Sequence, residues 1–214
     1  MEQAIVVTAD IVDSRKGGFK RDKFEAVLRS LSFATILLPF AFSRGDEIQA
    51  LVGSSLALPR LLRTVRFSLR PFDLRLGVAR GKVESFSGKE SSWEMDGEAF
   101  HRARENLDLL KRSPERKTCI SGWDTLRDAS ANTIFLLLDT LQSEWTERQW
   151  EAVHAYEEAG TYRNAAKSMG IRLQNVQKHC QRAHWDVVQT AEGQLQELLS
   201  ADSPEKGGKS KSNP

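Results

Sequence analysis

Cysteine is scarce in this chain. The 214 residues include two, Cys119 and Cys180, far apart and in no Cys-x-x-Cys spacing, which argues against a disulfide framework or a cysteine-rich zinc site. A reducing interior is the expected setting. Net charge is nearly absent as well: 31 Lys and Arg stand against 29 Asp and Glu, so any argument for nucleic acid needs a local cluster. Long apolar runs are also missing. The opening MEQAIVVTADIV is too short for a bilayer span and has no basic leader, so neither signal peptide nor anchor is read. A cytoplasmic protein with no membrane partner is expected. The closing ADSPEKGGKSKSNP, residues 201–214, is almost without apolar residues and is expected to be a disordered tail.

What is present, 40% hydrophobic and 28% charged residues, supports one substantial core or two modest ones. Residues 4–12, AIVVTADIV, are rich in β-branched side chains and read as a strand buried on both faces. Phe24, Val27, Leu28 and Leu31 repeat at helical spacing and predict a helix over 21–31. The stretch FAFSRGDEIQALVG, 40–53, reads as a hairpin turning at Gly45, where Asp46 is either ordinary turn chemistry or a functional carboxylate. SLALPRLLRTVRF, 55–67, predicts a second helix with Pro59 in its first turn, and DLRLGVARGKV, 73–83, a fourth strand.

The resulting β-α-β-β-α-β order makes the first and third strands antiparallel neighbours, so Asp10 and Asp46 are expected to meet. Adjacent carboxylates repel unless one is protonated or a cation lies between them, and magnesium suits a pair of carboxylates that leaves room for phosphate and water. Asp13 and Glu47 stand nearby as further candidates. On the fourth strand Gly77 leaves one face nearly bare, which marks the approach of a ligand, of another backbone, or a bend in the sheet.

ADIVDSR (9–15), RGDEIQ (44–49), RLGVARGKV (75–83) and MDGEAFHRARENL (95–107), in this order, resemble the catalytic domain of class III nucleotide cyclases and, more closely, the SatD family of bacterial proteins. The resemblance spans roughly residues 4–107. It implies an α+β fold with a ferredoxin-like, cyclase-like βαββαβ sheet. In such cyclases the aspartate closing the first strand and the hairpin aspartate bind two metal ions that engage a nucleoside triphosphate. By resemblance Asp10 and Asp46 take those roles with Mg2+, the Ile11 carbonyl adds a ligand, and Gly45, Glu47, Gly77, His101 and Arg104 are the nucleotide-binding candidates. One motif departs. Counting from Gly97, the Asn and Arg that serve cyclase chemistry are replaced by His101 and Glu105, so no catalytic residue is assigned. HRARE reads equally as an exposed helical face of compensating charges.

The second half changes character. Thr146 and Gln149 form a capping-box pattern that opens a helix ending at Gly160, with Trp150, Val153 and Ala155 or Tyr156 toward a core. TYRNAAKSMGI is a short helix closed by Gly170, and RLQNVQKHCQRAHWDVV opens a longer one, which together predict a helix-turn-helix. From Arg163 to His184 there are five Lys and Arg and no acid. Val176, Cys180, Ala183 and Val187 are expected to face inward, leaving Arg172, Gln174, Asn175, Lys178, His179 and Arg182 as DNA-binding candidates. This segment resembles sigma-factor region-4-type domains, and a protein-protein helical hairpin is the competing reading.

Between the halves, KTCISG reads as a strand and ASANTIFLLLDTLQ as a connecting helix whose apolar stripe covers the first domain or a second subunit. The expected organisation is a sheet domain over 1–125, a connecting helix over 126–144, a helix-turn-helix domain over 145–200 and the tail. The function expected is a DNA-binding regulator sensing a nucleotide or divalent metal. The alternatives are a metal-dependent enzyme acting on nucleoside triphosphates and a scaffold that binds neither. Both resemblances favour a homodimer, since cyclase-like sites are completed across subunits and helix-turn-helix proteins read paired half-sites.

Overall fold

The computed structural model describes residues 2–14, 19–43 and 45–200; the expected tail, and Arg15 and Arg44 of the motifs above, lie outside them. The elements run β1 (Glu2–Ile11), α1 (Arg21–Arg29), β2 (Ile36–Phe42), β3 (Glu47–Val52), α2 (Leu58–Ser68), β4 (Leu74–Val83), α3 (Glu98–Lys111), β5 (Thr118–Ser121), α4 (Thr125–Ser143), α5 (Glu147–Ala159), α6 (Tyr162–Met169), α7 (Leu173–Arg182) and α8 (Trp185–Ser200). The fold is mixed α+β. Its sheet has five strands in the order β2-β3-β1-β4-β5, antiparallel except for the β4 and β5 pair.

Strand β1 lies at the centre and buries both faces, as its run of β-branched residues requires. Ile5, Val7, Ala9 and Ile11 join one core cluster, while Ala4 and Val6 join a second beneath α3. Gly77 explains the close seating of α3. A Cβ there would lie 2.3 Å from the Ala103 carbonyl oxygen, so of the approaches that the bare strand face admits, the structure has a backbone. Asn106 then ties α3 to the sheet, donating to the Val78 carbonyl and to Ser121 Oγ, both at 2.8 Å.

On the opposite face, α4 covers β5 with Ala131, Phe135 and Leu138, and α8 packs against α4 and α2. The apolar stripe of α4 is therefore spent mainly within its own chain, although Leu126 and Leu137 remain exposed. The larger cluster is continuous from Ile5 in β1 to Leu199 in α8. Four of the five tryptophans are buried, and Trp123 and Trp145 donate their indole hydrogens to the Leu199 and Ala183 carbonyls. Both cysteines are free, and burial pushes the Cys180 thiol up to about 11. Among the described residues no helix is long and apolar enough to cross a membrane.

Three expectations need correction. Helix α1 stops at Arg29 instead of reaching Leu31. The helix expected from Arg172 onward breaks at His184, whose φ of 51° is left-handed, so α7 and α8 are separate. That break also resets the helical phase: Val187 is 50% exposed instead of inward, and Val188 is buried in its place.

Candidate functional site

Two regions gather the candidate residues, the acidic end of the sheet and the polar face of α7. At the first, register sets the neighbours. Asp10 lies opposite Glu47 on β3 and opposite Arg75 on β4, so the carboxylate adjoining Asp10 in the ladder is Glu47, one residue beyond Asp46. Arg75 Nη1 donates to Asp10 Oδ2 at 3.0 Å. Glu47 in turn accepts from Arg104 and has Lys111 Nζ at 3.5 Å, both cations projecting from α3. Asp46 accepts from the Ser14 hydroxyl, just past the end of β1, and the Gly45 amide donates to Ser43 Oγ at 3.2 Å within the turn.

The repulsion that bare carboxylates would suffer here is thus relieved by three cations from β4 and α3. Asp10, Ile11, Gly45, Asp46, Glu47 and Arg104 share this end of the sheet. His101 does not join them. It is exposed in the first turn of α3, 3.0 Å from Asp96, while Glu105 is exposed and the face of Gly77 belongs to α3. Asp13 adopts a left-handed φ of 58° in the turn after β1. Among the described residues no group of three or more His, Cys, Asp or Glu gathers as a metal cage.

The second region begins with the Thr161 hydroxyl, which caps α6 by accepting from the Asn164 amide. Gly170, in a left-handed conformation that glycine adopts without strain, ends α6 and turns the chain into α7. Ala165, Ala166, Val176, Cys180 and Ala183 are buried between α6, α7 and their neighbours. Arg172, Gln174, Asn175, Lys178 and Arg182 are exposed, and His179 is half-buried. Among the described residues, none of Arg163, Lys167, Arg172, Lys178 and Arg182 forms an ion pair. Their charge is available.

Between the two regions lies a feature that sequence reasoning missed. Arg60, Arg63 and Arg66 of α2, and Arg70 just beyond its end, pair with acids on later helices. Arg63, 3% exposed, is held by both oxygens of Glu157 on α5 at 2.7 Å and by Glu192 on α8 at 2.7 and 3.1 Å. Its guanidinium also sits 4.7 Å over the Trp185 ring. Burial pushes the Glu192 carboxyl up against the pull of Arg63, and the two carboxylates hold the Arg63 pKa above its ordinary value despite burial. Arg70 pairs with Glu147, and Arg66 with Asp139. The repeating arginines are visible in RLLRTVRFSLR; their acidic partners are distant in sequence, and only the fold brings them together.

A family model described as the SatD family matches residues 4–185. No curated protein matches the chain. A solved structure, the regulator of polyketide synthase expression from Bifidobacterium adolescentis, aligns with 14% identity over 92% of this chain and 78% of that one, with a TM-score of 0.26.

Proposed function

The chain belongs to the SatD family, and from that premise we propose that it is a DNA-binding regulatory protein whose sheet end senses a nucleotide, a divalent cation or both. The observation that carries the proposal is the α7 face: Arg172, Gln174, Asn175, Lys178 and Arg182 are exposed together on a helix whose opposite side is buried. Asn and Gln amides pair with adenine edges, while arginine serves guanine edges or phosphates. In this reading α6 and α7 form a helix-turn-helix, with α7 entering the major groove.

Phosphate contacts release counterions, so their loss is read in the salt dependence of binding. Replacing Lys178 and Arg182 together by Ala is expected to weaken duplex binding and to reduce the log–log salt slope by about two phosphate equivalents. Fluorescence anisotropy across a salt series measures both. An unaltered slope would favour the protein-binding reading of the same helix pair.

At the sheet end, Asp10, Asp46 and the Ile11 carbonyl offer hard oxygen donors of the kind magnesium takes, and magnesium there would neutralise phosphate charge. The donor chemistry fits, but Arg75 already occupies Asp10 and Ser14 already donates to Asp46. A cation must therefore compete with Arg75, which makes its entry a change in local pairing that β4 can feel. Calorimetry with magnesium and a nucleoside triphosphate tests this: Asp46→Asn is expected to abolish the magnesium-dependent binding. Unchanged affinity would remove the acidic end from the proposal and leave the DNA part standing.

A further inference from the structure

We propose an anion site at the opposite end of the sheet, where Arg80 awaits the phosphate group of a small phosphorylated molecule. The proposal does not rest on the DNA or nucleotide readings. Arg80 sits on β4 opposite Ile5, well away along the strands from the Asp10 end. It lines a pocket of about 430 Å3 shared with Gln3 at the start of β1, Gly53, Ser54 and Ser55 between β3 and α2, and Ser200 at the end of α8.

Three observations converge there. Arginines 63, 66, 70, 75 and 104 each pair with a carboxylate, whereas half-buried Arg80 has no ion pair and no side-chain hydrogen bond among the described residues. A partly desolvated cation without a partner is unfavourable, so an anion has an unspent interaction to satisfy. Among the described residues no carboxylate lines the pocket, so none of them competes for the guanidinium. The neutral groups beside it suit an oxyanion. Ser54 Oγ accepts from the Leu56 amide, and its own hydrogen is unspent among the described residues.

The guanidinium fork matches phosphate oxygens in bidentate geometry. The volume exceeds that of a lone ion and falls within the range of about 300–1,000 Å3 typical of small-molecule sites, which points to a phosphomonoester. Its place is also mechanical. Ser55 Oγ donates to the Leu199 carbonyl at 2.9 Å, so the pocket straddles the seam between the sheet and the end of α8. An anion seated there would fasten α8 to the sheet.

Isothermal calorimetry and thermal unfolding of the full chain, with inorganic phosphate or glycerol 3-phosphate against a chloride control of equal ionic strength, test the site. Wild type is expected to bind and to unfold at a higher temperature with either probe. Equal affinities would mean that the phosphate group alone is recognised, and tighter glycerol phosphate that the remainder is read as well; both support the site. Arg80→Met is expected to weaken binding about tenfold or more, and Arg80→Lys to retain part of it. Ser54→Glu supplies a carboxylate beside Arg80 and is expected to raise the basal unfolding temperature while removing the response to phosphate, which covers the case in which Arg80→Met does not fold. No binding of either probe by wild type, or Arg80→Met and Ser54→Glu binding as tightly as wild type, would overturn the proposal.

Discussion

His154 on α5 lies half-buried with its ring stacked on Phe67 of α2, the centroids 4.0 Å apart. Burial holds its pKa below the ordinary histidine value, while Glu158 and Glu157 pull the other way and Arg63 and Arg70 add to the depression. Since the unfolded chain titrates at about 6.5, it binds the proton before the folded chain does. The stability contributed by neutral His154 is therefore complete above about pH 6.5 and is lost as pH falls toward the folded pKa. Replacing His154 with Phe should flatten the decline in unfolding temperature between about pH 7.5 and 5.5 without abolishing it. A separate decline, below that window, comes from groups such as Glu147, whose pKa is lowered by its hydrogen bonds to Arg70. An identical decline in the variant would mean that the stacked imidazole does not titrate with folding.

At the scale of elements, the contact between α2 and the C-terminal helices combines apolar packing with the Arg63 clasp. The two contribute differently. Each fully buried Leu or Val adds about 1.5–3 kcal/mol, whereas a buried ion pair returns much of its attraction as desolvation. The clasp therefore fixes how α5 and α8 dock more than it raises stability. Breaking it is another matter. Arg63→Ala strands Glu192, leaves Glu157 with Arg60 at 3.4 Å, and is expected to cost about 3–5 kcal/mol, while Arg63→Met with Glu157→Gln and Glu192→Gln should recover most of that in chemical denaturation. A single variant as stable as wild type would show that water or rearrangement rescues the carboxylates. Elements set by local chemistry were legible in the sequence: the Thr146 and Gln149 capping box opens α5, Pro59 sits in the first turn of α2, and Gly170 closes α6. The break at His184 was not, because a histidine in a left-handed conformation carries no local signal.

For the whole molecule, the core running from β1 to α8 joins the sheet to the C-terminal helices through packed side chains. The acidic end was partly legible. Alternation and strand order placed Asp10 beside the hairpin, but the pairing of Asp10 with Arg75 and of Glu47 with Arg104 depends on register and on how α3 lies over the sheet. The α7 face was more legible, since burial there follows helical period within one short element; only the break beyond Ala183 changed the phase. Hydrogen–deuterium exchange of the full chain with and without duplex DNA at low salt tests the central claim most directly. The account predicts slowed exchange over residues 172–182 on DNA binding, and it is contradicted if the chain binds the duplex while exchange across α7 stays the same.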